Sequence, residues 1–374
     1  MVEQSKLGSR ERMDVPFPEP CKICEDLNRP PVLLVGNFLS AARGTRGVCE
    51  DLAVGLKAAG WKVITTSSRT GRVARLADFL LTVWRERSQY RVAQVDVYSG
   101  PSFLWAEWVC RALRMARKPY ILTLHGGNLP AFSQRHGNRV RRLLQSAGAV
   151  TTPSAYLFEQ MRVYRKDLAC LPNSVEISKY PFRHRNRPEP NLVSLRAFHD
   201  IYNPSLAVKV VALLAKDCPS VKLVMIGPDK KDGSRDVARN LAMKLGVLDR
   251  ITFAGPVPKA TIPEWINRGD ILLNTPRIDN TPVSILEAMA CGVCIVSTKV
   301  GGIPHLIEDE CDGLLVPDSD EVAMATAVRR LMGEEGVAGR LSRNGRLKVE
   351  QFDWPAILPQ WERLFSDFAE RHPV

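Results

Sequence analysis

The chain has 374 residues, 45% of them hydrophobic and 25% charged, a globular composition that excludes a disordered or fibrous protein. That length exceeds what one hydrophobic core usually serves and points to two domains with a cleft between them. The formal charge of +12, from 52 Lys plus Arg against 40 Asp plus Glu, favours anionic partners. The most visible basic clusters, at 135–142 and at Arg183, His184, Arg185 and Arg187, lack the aromatic spacing of a base-stacking platform, so nucleic acid is not an expected partner. No apolar run approaches the ~18 residues that cross a bilayer, and the polar, Pro-rich start has no apolar signal core. A cytoplasmic protein is expected.

The nine cysteines are an odd, scattered set that reads as reduced thiols. Two CxxC pairs occur, Cys21/Cys24 and Cys291/Cys294. The second falls across a helix end and a strand rather than on a zinc-knuckle turn, so no metal site is expected from it.

Residues 1–30 form a polar lead-in with Pro16, Pro18, Pro20 and Pro30 and no apolar period. From Pro31 short apolar runs alternate with helical patterns: a strand at 32–36, a helix at 48–59, a strand at 62–66, a helix at 72–87 and a strand at 94–99. A helix at 102–116 and strands at 120–124 and 149–152 follow. Such alternation argues for a parallel sheet covered by helices on both faces. The helix at 72–87 sets Val73, Leu76, Leu80, Val83 and Trp84 at helical spacing with Arg72, Arg75, Arg85 and Arg87 nearby. That face packs on its own sheet or lies on an anionic membrane.

The stretch 172–190, with four prolines among basic residues, has the composition of an exposed inter-domain linker. The alternation then restarts: strands at 192–195, 222–226, 251–253, 271–274, 294–297 and 314–316, with helices near 205–215, 236–245 and 283–291 and more to the C-terminus. The reading is α/β, two facing Rossmann-like halves with parallel sheets. Ligands of open α/β sheets bind beyond the carboxyl ends of the strands, which selects the loops at 36–47, 125–128, 196–202, 227–229 and 274–284.

The segment 274–292, Asn-Thr-Pro-Arg-Ile-Asp279-Asn-Thr-Pro-Val-Ser-Ile-Leu-Glu287-Ala-Met-Ala-Cys-Gly292, reads as strand, loop, helix and stop. Thr281 suits an N-cap, Pro282 the first helical position and Gly292 the end. Free amides and the positive dipole end then offer a seat for a diphosphate. Asp279 lies just ahead of that seat and Glu287 about a turn and a half inside the helix, and carboxylates suit the hydroxyls of a polyol. The same residues also spell no more than a well-capped helix.

This run resembles the donor-site signature of glycosyltransferase family 4, the retaining glycosyl transferases of the GT-B fold, in which acidic-x7-Glu precedes Ala-Met-Ala-Cys-Gly. The resemblance continues through 298–307 and Asp312-Gly-Leu-Leu-Val-Pro317, and weakly over nearly the whole chain from Pro31. It implies an acceptor domain at 31–178, a nucleotide-sugar donor domain at 190–350 and a C-terminal helix at 351–374 packing back on the first domain. By the same resemblance Glu287 binds ribose, and Asp279, where the family usually has Glu, faces the transferred sugar. Asn280, Thr281, Val283 and Ser284 then supply backbone donors to the diphosphate, and Arg196 neutralises it. The family's companion Lys falls in Ile201-Tyr202-Asn203, which leaves Arg196 and the helix end with that charge unless Lys209 or another base swings in.

His125, in Leu124-His-Gly-Gly-Asn-Leu-Pro130, matches a family His that contacts the sugar, with Gly127 and Asn128 on the sugar or acceptor. Gly44 and Gly47, with Thr45 and Arg46 between them, stand at the family's glycine-rich loop, where small residues let backbone approach a phosphate. The full GxGxxG fingerprint is missing, against a dinucleotide oxidoreductase. The expectation is a cytoplasmic, retaining hexosyltransferase. It moves sugar from a nucleoside diphosphate sugar to a glycan or lipid-linked hydroxyl in cell-envelope polysaccharide or glycolipid synthesis, without a metal and peripherally at an anionic inner membrane face. A nucleotide-sugar epimerase and a silent carbohydrate- or membrane-binding protein on the same fold are the alternatives.

Overall fold

The computed structural model describes residues 29–40 and 47–372. Gly44, Thr45, Arg46, Cys21 and Cys24 lie outside them. The first half runs β1 (Val32–Val35), α1 (Val48–Ala58), β2 (Val63–Thr65), α2 (Arg72–Arg85), β3 (Val92–Val97), α3 (Pro101–Met115) and β4 (Tyr120–Leu124). It continues with α4 (Leu129–Arg135), α5 (Gly137–Gln145), β5 (Ala149–Thr152), α6 (Ala155–Met161) and β6 (Leu168–Cys170). The second half runs β7 (Asn191–Leu195), α7 (Pro204–Leu214), β8 (Lys222–Ile226), α8 (Ser234–Lys244), β9 (Ile251–Gly255), α9 (Ile262–Asn267) and β10 (Ile271–Asn274). Then come α10 (Val283–Ala290), β11 (Cys294–Thr298), α11 (Ile303–Leu306), β12 (Leu314–Val316), α12 (Glu321–Gly333), α13 (Val337–Val349) and α14 (Trp354–Arg371).

The strands form two parallel six-stranded sheets, ordered β2-β1-β3-β4-β5-β6 and β12-β11-β10-β7-β8-β9. Order reverses between β1 and β3 in one sheet and between β7 and β10 in the other, and a crevice opens beyond the strand ends at such a switch point. Each sheet is buried on both faces, which is why its strands read as near-continuous apolar runs. In the first half, one core joins the sheet to α2, α3, α5 and α6 through Phe79, Val83, Phe103, Val140 and Leu157. The opposite core joins it to α1 and, from the far end of the chain, to α14 through Ile357, Trp361, Phe365 and Phe368.

Two expectations are corrected. The segment 172–190 is exposed only in part: Val175, Ile177, Tyr180 and Arg185 are buried, whereas most of 181–187 is exposed. Arg185 ion-pairs with Asp270 and donates to Asn267 Oδ1 at 2.8 Å and the Gly269 carbonyl at 3.0 Å, while Arg183 meets Asp270 at 2.6 Å. Arg185 is thus used internally, while Arg183 pairs with the same carboxylate from an exposed position. In α2 the buried residues are Arg75, Phe79 and Val83, whereas Val73 and Trp84 are exposed. Arg75 lies inward because its guanidinium caps the carbonyls of Arg69 and Thr70 and the side chain of Asn37.

The returning helix is tied down by polar as well as apolar contacts. Trp61 Nε1 donates to Glu362 Oε1 at 2.7 Å, both residues being buried. Glu362→Ala leaves that indole N–H without an acceptor and is expected to cost about 1–3 kcal/mol. Urea unfolding checks this: the midpoint falls at an unchanged slope for Glu362→Ala and falls less for Glu362→Gln, which keeps an acceptor.

Candidate functional site

Both switch points open onto one cavity of about 430 Å³. From the second half, β7 delivers Arg196, whose N–H donates to the Ile226 carbonyl at 2.9 Å. Gly227, next along from β8, has φ +148, and a Cβ there would lie 2.0 Å from the Arg196 carbonyl oxygen. Only glycine lets the two loops close on each other so tightly. The Arg196 guanidinium stacks over Tyr202 at 4.7 Å and forms an ion pair with Asp279. Arg196 Nε is buried with no hydrogen-bond partner among the described residues. Burial lowers the pKa of this guanidinium from its usual value.

Asp279 and Asn280 are seated by backbone. Gly302 N–H donates to the Asp279 carbonyl at 3.0 Å. Cβ atoms at Gly301 and Gly302 would lie 2.1 and 2.4 Å from the carbonyl oxygens of Asp279 and Asn280. From the other half, Gly127 leans on the same point, where a Cβ would meet the Asp279 oxygen at 2.7 Å. Helix α10 begins at Val283 with Pro282 in the N-cap position, one residue later than expected. Thr281 does not cap: its hydroxyl donates across the cleft to the Pro153 carbonyl at 3.4 Å. Ser284 Oγ, in the first turn, is buried without a partner among the described residues. On the next face of α10, Glu287 Oε1 accepts from Tyr180 Oη at 2.7 Å and Lys259 Nζ at 2.5 Å. Burial first, and the Glu287 charge second, push the Tyr180 hydroxyl pKa up.

From the first half, His125 follows β4 and is buried. Its Nε2 lies 3.0 Å from Asp96 Oδ1, and its ring stacks on Tyr98 with centroids 5.1 Å apart. Burial, then the charge of Asp96, raises the Tyr98 pKa.

His125, Arg196, Asp279, Asn280, Thr281, Val283, Ser284 and Glu287 all line the cavity. Gly127 takes part through the fit of its backbone. Asn128 is exposed at the N-cap of α4, and Gly47 caps α1, its N–H donating to Glu50 Oε2 at 2.7 Å. Neither is among the lining residues. Lys209 is not available to the site, since it pairs with Glu321 at 3.2 Å. Sequence reasoning missed Tyr98, Tyr180, Tyr202, Lys230 and Lys259. Lys230 and Lys259, the two lysines lining the cavity, had no signal beyond a strand-end loop position.

Among the described residues one group has metal-like spacing, and neither it nor the Asp318-Ser319-Asp320 run lines the cavity. Ligand atoms of Glu308, Cys311 and Asp312 lie within 4.8 Å of one another, but Asp312 is already ion-paired with Lys348. In Asp318-Ser319-Asp320, Asp320 caps α12 by accepting the Ala323 N–H at 2.8 Å. Cys291 and Cys294 are buried free thiols. No helix among the described residues is long and apolar enough to cross a membrane.

Comparison with known proteins agrees with this geometry. Residues 177–348 match the family model described as glycosyl transferases group 1. The D-inositol 3-phosphate glycosyltransferase of Mycolicibacterium smegmatis is 28% identical over 183 residues, 47% of this chain and 42% of that protein, so the match spans less than half of the relative. Among solved structures, sucrose-phosphate synthase from Thermosynechococcus elongatus superposes with a TM-score of 0.78 at 20% identity, over 92% of this chain and all of that one. Anabaena HepE, in complex with UDP and glucose, gives a TM-score of 0.71 at 18% identity over 90% and 99% of the two chains. The chain thus shares two facing parallel sheets of the GT-B kind with these structures, and its second half, over residues 177–348, is similar to the glycosyl transferases group 1 family.

Proposed function

We propose that the protein is a retaining glycosyltransferase that moves a hexose-like residue from a nucleoside diphosphate sugar to a hydroxyl of a glycan or lipid-linked acceptor. The observation that carries the reading is the meeting of Arg196, the head of α10, Asp279 and Glu287 in one cavity closed by His125. A relative's complexes with UDP and UDP-glucose make uridine nucleotides the first donors to try.

In this reading the diphosphate replaces Asp279 as the partner of Arg196. The freed Asp279 carboxylate accepts from the sugar hydroxyls instead. The exchange keeps a buried cation and a buried anion compensated throughout, where losing either partner alone would be costly. Glu287, with one oxygen held by Tyr180 and Lys259, offers the other to the ribose. As the glycosidic bond breaks, charge grows on the leaving diphosphate, and Arg196 with the α10 amides stabilises it in a site shielded from water. The first half presents the acceptor beside His125, and stereochemistry at the anomeric carbon is retained by the resemblance.

The membrane side of the reading rests on the layer of α2, α3 and α5. Val73, Leu81, Trp84, Leu104, Trp108 and Met115 are exposed there, including both tryptophans counted as exposed among the described residues. A groove of about 540 Å³ beside them is lined by Arg111, Arg114, Arg139 and Arg142. Aromatic and apolar side chains interleaved with arginines suit the headgroup region of an anionic leaflet.

A thermal-shift and turnover screen tests the donor site. At a hundred times Kd a true donor stabilises by about 2.7 kcal/mol, so UDP-glucose or a related nucleotide sugar is expected to raise the wild-type Tm. Arg196→Ala is expected to lose most of that shift. Flat responses to every donor would sink the reading, and an epimer formed without acceptor would replace it.

Gly127→Ala probes the meeting of the halves. Its methyl would press on the Asp279 backbone rather than on a flexible side chain, so transfer is expected to fall at least tenfold while UDP binding, a property of the second half, stays near wild type.

Sedimentation with phosphatidylglycerol vesicles tests the membrane face. Binding is expected at low salt, weakening as salt rises, and reduced in the Trp108→Ala/Arg111→Glu variant. Equal recovery with phosphatidylcholine vesicles would count against it.

A further inference from the structure

The first half lies outside the stretch matched by the family model, and Asp96 is its least explained buried charge. Asp96 sits at the carboxyl end of β3, beside the switch point, with its side chain 4% exposed. Oδ1 accepts from Gln94 Nε2 at 2.8 Å and lies 3.0 Å from His125 Nε2. Among the described residues Oδ2 accepts no conventional hydrogen bond, and the Cys49 thiol lies beside the carboxylate. Room for it is kept by Gly36, where a Cβ would lie 2.8 Å from Oδ2. A buried carboxylate is expensive, and among the ion pairs of the described residues the partner of Asp96 is His125.

The carboxylate is itself held in place. Gln94 Nε2 also donates to Thr123 Oγ1 at 2.8 Å, and Thr151 Oγ1 donates to that same oxygen at 3.0 Å. A hydrogen-bonded chain thus runs across β5, β4 and β3 and ends on the imidazole. An ionised carboxylate only accepts, so the proton of this contact belongs to His125 Nε2. Nδ1 is then the ring nitrogen left for a ligand. Stacking on Tyr98, with 20° between the ring planes, fixes the plane of the ring, and Asp96 fixes its rotation within that plane.

We propose that Asp96 is a positioning residue. It acts through His125, locking the tautomer and orientation in which the imidazole meets the sugar at the cleft. The kinetic part rests on the transferase reading, and the tautomer part does not.

The test uses the full chain with Asp96→Ala, Asp96→Asn, His125→Ala and the Asp96→Ala/His125→Ala double variant. Asp96→Ala is expected to lower kcat by on the order of ten- to a hundredfold, by analogy with the loss when the group that orients a metal-bound imidazole is removed. UDP affinity should stay within about twofold, since UDP carries no sugar for His125 to meet. In the His125→Ala background the same substitution should cost nothing further. Asp96→Asn, isosteric and with an oxygen still available to Nε2, should recover much of the loss. Nitrogen-15 NMR of the His125 ring should show the Nε2–H form in wild type and a mixture in Asp96→Ala. An equal loss in the His125→Ala background, an unchanged kcat, or an unmoved tautomer would overturn the proposal. A wild type that transfers no sugar would fail the transferase reading and leave the NMR arm to decide this one.

Discussion

The site depends on one steric constraint, the seating of the Asp279 and Asn280 carbonyls among three glycines. Gly301 from the second half and Gly127 from the first close on the Asp279 carbonyl, and Gly302 closes on that of Asn280, each at a distance that a Cβ would violate. Backbone against backbone is the stiffest contact a protein makes, because no rotamer change relieves it. The loop that carries Asp279 and Asn280 is therefore positioned by atoms that cannot yield, and the first half is registered against it. Side chains then add direction: Ser154 donates to Asn280 Oδ1, Asn173 Nδ2 to the Thr281 carbonyl at 3.3 Å, and Thr281 to Pro153.

Electrostatics follow from this seating. With the loop fixed, Asp279 faces Arg196, and a buried cation that would otherwise be unmatched has a counter-charge in the ligand-free protein. Glu287 is compensated in the same way by Lys259 and Tyr180. The cavity is thus rich in charge and close to neutral, a state that a diphosphate and a polyol can enter by exchanging partners rather than by creating new buried charges. Ser284 Oγ and Arg196 Nε, on two residues that line the cavity, are desolvated donors without a partner among the described residues, and donors set in place beforehand are how preorganised sites avoid reorganisation during reaction.

Much of this was legible in the chain because its signals are local. Proline and glycine mark the ends of α10, Asp279 and Glu287 sit at fixed offsets from that helix, and apolar runs alternating with helical patterns show two parallel sheets. What stayed hidden depends on long-range neighbours. Lys259 and Tyr180 converge on Glu287 from 28 and 107 residues away. The basic stretch at 183–187 has linker composition, yet Asp270 pairs with two of its arginines and holds Arg185 inside the fold. In α2 the inward position of Arg75 rotates the buried face away from Val73 and Trp84, since periodicity cannot see that loop carbonyls will satisfy a guanidinium. Gly127 was legible as a small residue near the cleft, but what it is small for is visible only once the Asp279 carbonyl lies against it.

The chain passes between the halves twice, and the two crossings lie side by side. Val175, on the way out, donates its N–H to the Phe352 carbonyl at 2.9 Å, and Ile177 donates to Asp353 Oδ1 at 3.0 Å on the way back. Beyond Asp353, α14 is packed into the first half by Trp361 and Phe365, so neither crossing is a free tether. The contacts from Ser154, Asn173 and Gly127 to the 279–281 loop join the two halves, whereas Arg196, Asp279 and Glu287 all belong to the second. In the proposed reading the groups for the donor therefore sit on one half and His125 on the other, so the fit of the glycines at the Asp279 carbonyl is what sets the imidazole against the donor site.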